Sequence, residues 1–212
     1  MIGREIPDLT YDNETRKKIV EAATELIALK GFSAVSMRDI AKAVGIKMSS
    51  IYYYYESKEA LLKDIFANFE NGYRHYFDWL SGENAKADSL EEVMDNLFNK
   101  ELFTMLDPMG YFGISLVMKE QHNNEAACKC VFELFYEHSI KRMQADFDKL
   151  VANGVIPSSD TKTIASLLMF CVMVCNDMQL HEYMGAKPPL NRLEFLDGLK
   201  KILTSTLKQG LK

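Results

Sequence analysis

Residues 36–62, with the sequence SMRDIAKAVGIKMSSIYYYYESKEALL, decide the fold of this chain. The first helix predicted there begins after Ser36, whose hydroxyl can cap it, and Asp39 three residues later can complete a capping box. Gly45 ends that helix where a left-handed residue is needed. A second short helix is predicted over 48–55, and a third begins soon after it. Two short helices joined by a tight glycine turn are typical of a helix-turn-helix, whose second helix enters the major groove of DNA.

The stretch 15–66 resembles the DNA-binding region of the TetR family of transcriptional regulators. The matching features follow the family's order and spacing, and they are Gly31, Ser36, Ile40-Ala41, Gly45-Ile46, Ile51-Tyr52-x-Tyr54-Tyr55 and Ser57-Lys58-x-x-Leu61. The rest of the chain is similar to the family only in length and helical layout. The resemblance implies an all-α protein with an N-terminal helix-turn-helix domain over 1–57 and an effector-binding and dimerisation domain over 58–212.

Glycine, proline and loop-forming residues divide the chain into about nine predicted helices, with no strand-like alternation of useful length. The predicted ranges are 13–30, the two short helices within 36–55, then 58–80, 90–106, 109–121, 124–152, 159–184 and 191–207. Residues 81–89, SGENAKADS, form the first clear loop outside the helix-turn-helix. The sequence therefore predicts an all-α fold.

Charge is the one gross property that does not favour DNA binding. The net charge is −5, and residues 1–60 contain nine basic and nine acidic side chains, so the acidic excess lies in the rest of the chain. Affinity for phosphates must then come from the local placement of Arg38, Lys42, Lys47 and Lys58. The neutral module leaves an alternative open: a helical small-molecule or thiol/metal sensor whose DNA module is weak or vestigial.

The resemblance assigns DNA contacts residue by residue. Lys47, Met48 and Ser49 occupy the N-terminal end of the recognition helix, where side chains reach base edges. Arg38 matches a position that can also reach a base, and Arg is the best bidentate reader of guanine. The predicted set is completed by Tyr53 and by the positions that typically touch phosphates, which are Ser36, Ser50, Tyr52, Tyr54 and Lys58. Tyr55 is assigned to packing, because the family usually has a buried Phe there. The alternative is that the four consecutive tyrosines are only half-buried aromatics.

Aromatic and methionine side chains downstream predict a cavity for a small, largely apolar effector between the helices of the larger domain. The candidate lining residues are Tyr73, Phe77, Phe98, Phe112, Phe132, Tyr136, Met169, Met173 and Asn176. Ordinary core packing is the alternative for each aromatic and methionine. For Asn176, the alternative is a position at a dimer seam.

The last two predicted helices, 159–184 and 191–207, are apolar on more than one side, so they need partners on two sides. One partner is the chain's own core. The other is most economically a second copy, which would form a four-helix bundle across a twofold axis. The resemblance implies the same homodimer, bound to a palindromic DNA operator and usually acting as a repressor.

Cysteine spacing does not favour a metal site. On a helix, Cys128 and Cys130 point about 200° apart, so they cannot easily share one metal. Cys171 and Cys175 share a face, but reduced buried cysteine is common in apolar helices. No metal or cofactor is predicted. Because no nucleophile elbow, P-loop, dinucleotide fingerprint or HExxH motif is present, no catalytic residue is predicted and the protein is not expected to be an enzyme.

The sequence also predicts a cytoplasmic protein without a membrane partner. The N-terminal stretch MIGREIPDLT is too polar for a signal peptide. The most apolar run, 164–175, is shorter than the roughly 20 residues that span a bilayer. Four cysteines in a chain without an export signal indicate reduced thiols.

Overall fold

The computed structural model describes residues 13–98, 108–187 and 190–209, and within these ranges every regular element is a helix. In chain order they are α1 (Glu14–Lys30), a 3₁₀ turn (Phe32–Ala34), α2 (Met37–Val44), α3 (Met48–Tyr54), α4 (Lys58–Asn84), α5 (Leu90–Leu97), α6 (Pro108–Glu120), α7 in three consecutive segments (Glu125–Cys130, the π-helical Val131–Ser139, and Ile140–Ala152), α8 (Thr161–Tyr183) and α9 (Arg192–Gln209). The prediction of an all-α fold is confirmed.

The chain forms two compact units, and each is built from two stretches of sequence. The first unit comprises Met1–His75 and Asp107–Phe132, and the second comprises Tyr76–Leu106 and Glu133–Lys212. The divisions fall inside α4 and inside the π-helical segment of α7. The predicted division between residues 57 and 58 concerns function and stays a prediction.

The first unit holds the helix-turn-helix. Its aliphatic core comes from α1 to α4, and the buried side chains include Ile19, Val20, Ile27, Ile40, Ile51, Leu61, Leu62 and Ile65. α1 packs against α2 and α6, and α2 packs against α3. The last turn of α6 also makes polar contacts with the end of α1. The Lys119 ammonium donates to the carbonyl oxygens of Ala28 and Leu29, and the Glu120 carboxylate accepts the backbone N–H of Phe32 at 2.9 Å.

The second unit contains the end of α4, α5, most of α7, α8 and α9. α8 packs against α7, and α9 packs against α5 and α8. The buried apolar side chains include Val93, Met94, Leu134, Phe135, Met143, Phe147, Ile164, Leu168, Met169, Leu196 and Leu207. By length and composition α8 is the one helix in the described ranges that could cross a membrane. A core helix of a soluble protein passes the same test, and α8 contributes several of these buried side chains.

α4 extends four residues beyond its predicted end, so the prediction of a loop from residue 81 is wrong. The reason is the amide of Asn84, which is buried and which no local sequence pattern reveals. Its side chain donates to the Asp146 carboxylate at 2.6 Å and accepts from the Asn96 amide at 3.1 Å. These contacts hold the last turn of α4 in helical form. In contrast, α5 ends at Leu97, earlier than predicted, and residues 99–107 lie outside the described ranges.

The π-helical segment changes which side chains of α7 face inward. The Ser139 hydroxyl donates to the carbonyl of Leu134, five residues earlier, at 2.7 Å. A regular α-helix would bury Cys128 and Phe132 on the same side as Phe135, but the wider turn exposes both of them, and Phe132 is 55% exposed. The predicted regular spacing over 124–152 is therefore wrong before Phe135, although the helix itself is continuous. Mid-helix π segments occur frequently at functional sites.

In the first unit, α6 approaches α4 closely at Gly113. A Cβ atom added there would lie 2.5 Å and 2.9 Å from two ring carbons of Phe69. Such distances are shorter than van der Waals contact, so a larger residue would force the Phe69 ring or the helices to move.

We expect Gly113→Ala to lower the free energy of unfolding by about 1–3 kcal/mol, because overpacking outweighs the gain in helix propensity. The matched control is Gly82→Ala in α4, where an added Cβ would meet no atom within 4 Å. The control should stabilise the protein by about 0.4–1 kcal/mol. Urea unfolding followed by circular dichroism measures both. Equal stabilisation by the two substitutions would show that α6 and α4 are not in close contact at Gly113.

Candidate nucleic-acid interface

The start of α2 is fixed by the predicted capping box. The Ser36 hydroxyl accepts the backbone N–H of Asp39 at 3.2 Å, and the Asp39 carboxylate accepts the backbone N–H of Ser36 at 2.9 Å. The hydroxyl of Ser36 also donates to that carboxylate at 2.5 Å. These hydrogen bonds hold the pKa of the Asp39 carboxyl below its usual range. Ser36 is exposed, but a contact between its hydroxyl and a phosphate would compete with the cap.

The turn between α2 and α3 is set by Gly45, whose φ of 76° and ψ of 26° lie in the left-handed region. The backbone N–H of Gly45 donates to the carbonyl of Lys42 at 3.2 Å, and that of Ile46 donates to the carbonyl of Ala41 at 3.0 Å. These bonds satisfy carbonyl groups that the end of α2 would leave unpaired. α2 and α3 also pack together, with Ile40 and Ile51 fully buried. The turn and this packing together fix the orientation of α3 relative to α2.

The side of α3 opposite Ile51 faces solvent. Lys47, Met48, Ser49, Tyr52 and Tyr53 are exposed, whereas Ser50 and Tyr54 are half-buried. Tyr53 is 85% exposed, and its ring makes an edge-on contact with Tyr54 at a centroid distance of 5.1 Å. The structure thus places most of the predicted contact residues on the accessible face of the recognition helix.

Two further cations, Arg38 and Lys42, are exposed on α2. Among the residues that the structure describes, neither Arg38 nor Lys47 at the start of α3 forms an ion pair. The Arg38 guanidinium and the Lys47 ammonium are therefore available to a ligand. This local surplus of positive charge lies on a module whose total charge is zero. The arrangement can bind an anion such as a phosphate without a basic overall composition.

Lys58 is placed differently from what its predicted role requires. Its half-buried ammonium donates to the carbonyl oxygens of Phe32 and Val35, both at 2.7 Å, and lies 4.0 Å from the centroid of the Phe32 ring. A phosphate contact from Lys58 would break or share these hydrogen bonds. Its contact with DNA stays a prediction, and its role in this structure is to hold the turn between α1 and α2.

Sequence reasoning missed a polar triad behind α3. Tyr55 is buried, as its packing role requires, but its hydroxyl donates to the Asp64 carboxylate at 2.5 Å and accepts from Arg16 Nε at 3.1 Å. Arg16 Nη2 also contacts Asp64 at 3.1 Å. Burial, with the hydrogen bond to Asp64, raises the pKa of Tyr55 well above its usual range. The hydrogen bond to Tyr55 raises the pKa of Arg16. The triad joins α1, the end of α3 and α4.

The predicted effector-binding residues are divided between the two units. Tyr73, Phe112 and Phe132 belong to the first unit, and Phe77, Phe98, Tyr136, Met169, Met173 and Asn176 belong to the second. Within the second unit, the Phe77 ring meets His138 at a centroid distance of 6.4 Å, and Tyr136 meets Phe170 at 6.3 Å.

Asn176, the polar member of the predicted effector set, is buried and has a partner in its own helix. Its side-chain amide donates to the carbonyl of Val172, one turn earlier, at 2.9 Å. This leaves the amide oxygen of Asn176 for a ligand or another group. The assignment of all nine residues to effector binding stays a prediction.

The thiols differ in accessibility. Cys128 is exposed, Cys171 is half-buried, and Cys130 and Cys175 are buried. Burial raises the pKa of the Cys175 thiol to about 11 and also raises that of Cys171, which disfavours their reactive thiolate forms. In the described ranges, no group of three or more His, Cys, Asp or Glu side chains is arranged to hold a metal ion.

An apolar stripe runs along the outside of α8. Leu167, Phe170 and Val174 follow one another at helical spacing, and Phe170 is 51% exposed. On α9, Ile202 is 64% exposed. Leu203, the neighbouring residue, is instead buried within the second unit. Exposed apolar side chains that form a contiguous patch are typical of interaction surfaces.

Comparisons with known proteins agree with this geometry. Residues 19–65 match the family model described as bacterial regulatory proteins, tetR family. The chain is 29% identical over 85 residues to the protein described as "Probable HTH-type transcriptional regulator YttP" of Bacillus subtilis (strain 168), a match that covers 40% of this chain and 41% of that protein. It is 30% identical over 83 residues to the biofilm operon negative transcriptional regulator IcaR of Staphylococcus epidermidis, covering 39% and 43%. These matches span less than half the length of either relative.

A solved structure, that of Salmonella enterica GusR, extends the likeness along the chain. Its TM-score with this protein is 0.65 at 25% sequence identity, and the match covers 94% of this chain and 98% of that one. The similarity therefore includes the helices that follow the helix-turn-helix.

We expect Tyr55→Phe to lower the free energy of unfolding by about 1–3 kcal/mol, because it removes a hydroxyl that hydrogen-bonds two charged groups. The substitution keeps the buried ring and leaves the Arg16–Asp64 contact in place. Tyr53→Phe is the control, because the Tyr53 side chain is almost fully exposed, and its effect should stay within about 0.5 kcal/mol. Chemical denaturation measures both. If the two variants are equally stable, the Tyr55 hydroxyl contributes nothing measurable to the stability of the fold.

Proposed function

The chain belongs to the TetR family of transcriptional regulators, and we propose that it binds a palindromic operator as a homodimer and represses transcription until a small, largely apolar effector releases it. The observation that carries the proposal is the capped helix-turn-helix, whose recognition helix has a buried rear face and an exposed front face. In this proposal residues 1–57 act as the DNA-binding domain, and residues 58–212 bind the effector and dimerise. The protein works in the cytoplasm, where its operator lies, and has no membrane partner.

The proposed DNA contacts follow from exposure and chemistry. Lys47, Met48 and Ser49 lie at the start of α3, where side chains reach base edges in the major groove. Arg38 reaches a guanine, while hydroxyl groups of the tyrosines donate to phosphates and fix the register. Arg38 and Lys47 form no ion pair among the described residues, which supports a role for both in binding DNA.

The proposed homodimer forms through α8 and α9. Leu167, Phe170 and Val174 on α8 and Ile202 on α9 are apolar and exposed in the single chain. Covering them with the same two helices of a second copy would make a four-helix bundle with twofold symmetry. A twofold dimer presents two recognition helices, which matches half-sites about 34–36 Å apart in a palindromic operator.

The proposed effector is bound by apolar side chains of the larger domain. Phe77, Phe98 and Met169 are buried there, and flexible methionines suit an apolar small molecule. α4 begins directly after the DNA-binding module and continues through Phe77, so a ligand that favours one position of α4 changes the position of the module. A coupling of about 1–3 kcal/mol is enough for a 5–150-fold change in operator affinity.

The first test uses operators selected from a randomised duplex library. Arg38→Ala should relax base preference at one position of each half-site, at a cost of about 1–3 kcal/mol, because a bidentate contact with guanine is lost. Tyr52→Phe should weaken binding to all sequences about equally, because it removes a phosphate contact. Quantitative binding to the library separates these outcomes. A uniform loss with Arg38→Ala would show that Arg38 does not read a base, and weak binding by the wild type without sequence preference would favour the vestigial-module alternative.

The second test concerns the dimer. Phe170→Glu and Ile202→Lys should each convert the dimer to monomer at micromolar concentration and abolish tight operator binding, because a charge would be buried in the interface without a partner. Lys201→Glu, an exposed charge reversal beside Ile202, serves as the control and should leave the dimer intact. Analytical ultracentrifugation measures all three. A wild-type protein that sediments as a monomer would refute the proposed homodimer.

A further inference from the structure

The recognition helix lacks the side chains that usually discriminate between bases. Its sequence is MSSIYYY, and it has no Asn, Gln, Arg or Lys, the residues that make bidentate hydrogen bonds to adenine or guanine. The adjacent basic side chain, Lys47, is the N-cap, so base discrimination by residues 48–54 can come only from single hydroxyl groups or from apolar contact.

Met48 is the side chain on α3 that offers apolar contact at the right place. It lies on the first turn, which reaches base edges when a recognition helix enters the major groove. It is 39% exposed, so part of the side chain is covered by the protein and part is presented to solvent. Ile51, three residues later, is fully buried and faces the core.

The major-groove edges of the base pairs offer donors, acceptors and one apolar group, the 5-methyl of thymine. A thioether is flexible and polarisable, and it hydrogen-bonds only weakly, so it gains little from the polar edges. We propose that Met48 is a specificity-determining residue that selects a thymine in each operator half-site by packing against its 5-methyl group. The inference rests on the proposed function, because it needs α3 in the major groove.

The rigidity of α3 supports this selectivity. Ile51 fixes its rear face, and the Tyr55 hydroxyl bound to Asp64 and Arg16 fixes its C-terminal end. These contacts hold the helix that carries Met48 against the core. The tyrosines of α3 differ from Met48 in carrying hydroxyl groups suited to phosphates.

The test replaces thymine by deoxyuridine, which removes only the methyl group, at each thymine of the selected operator in turn. We expect one thymine per half-site at which the replacement weakens wild-type binding about fourfold, corresponding to about 0.8 kcal/mol for one buried carbon group. In Met48→Ala the same replacement should have no effect, while discrimination at other positions is kept. Met184→Ala, the same change at an exposed methionine outside the proposed DNA contacts, is the matched control, and it should still distinguish thymine from deoxyuridine.

The outcomes separate this inference from the proposed function. If the wild type binds its selected operator but no deoxyuridine replacement matters, or the loss is as large in Met48→Ala, the methyl contact is refuted and the proposed function stands. A selected half-site that contains no thymine also refutes the methyl contact. If the protein binds no duplex with sequence preference, the methyl contact and the proposed function are both refuted. Discrimination retained at other positions in Met48→Ala shows that the variant is folded.

Discussion

The recognition helix depends on burial of its rear face. α3 has seven residues, and an isolated helix of this length is unstable in water. Its Lys47 N-cap makes no side-chain capping bond, so the cap does not supply the missing stability. The helix persists because Ile51 is buried and because Tyr55, immediately after it, is tied to Arg16 and Asp64. These contacts on the rear side leave the opposite face of α3 exposed to solvent.

Charged side chains hold the backbone of the turn before the helix-turn-helix. Lys58 from α4 and Glu120 from α6 bind the backbone of Phe32 from two elements, and Lys58 also binds the carbonyl of Val35. Lys119 from α6 is a third charged side chain that binds backbone here, since its ammonium donates to the carbonyl of Ala28 near the end of α1. α6 therefore contacts the DNA-binding module directly, in addition to the covalent link through α4. A displacement of α6 would therefore shift the backbone that precedes α2 even if α4 stayed in place.

Local features of this fold were predictable from the sequence, and long-range polar contacts were not. The Ser36–Asp39 capping box and the Gly45 turn each depend on residues within a few positions of one another, so a pattern reveals them. Arg16 and Tyr55 are 39 residues apart, and Arg16 and Asp64 are 48 apart. Each pair joins residues from different helices, so no local pattern reveals it. The late end of α4 has the same cause, since Asn84 bonds to Asp146, 62 residues away.

The internal use of charge limits how much phosphate neutralisation can contribute to DNA binding by this neutral module. Arg16 forms an ion pair with Asp64, and the Lys58 ammonium donates hydrogen bonds to backbone carbonyls. Both cations therefore already have partners within the first unit. The cations left on α2 and its turn into α3 are Arg38, Lys42 and Lys47, a small number for a binding mode driven by phosphate neutralisation. Few such contacts imply a modest dependence on salt and a larger share of affinity from hydroxyl and apolar contacts. The solvent-facing side chains of α3 are methionine, serine and tyrosine, which have the chemistry for that share.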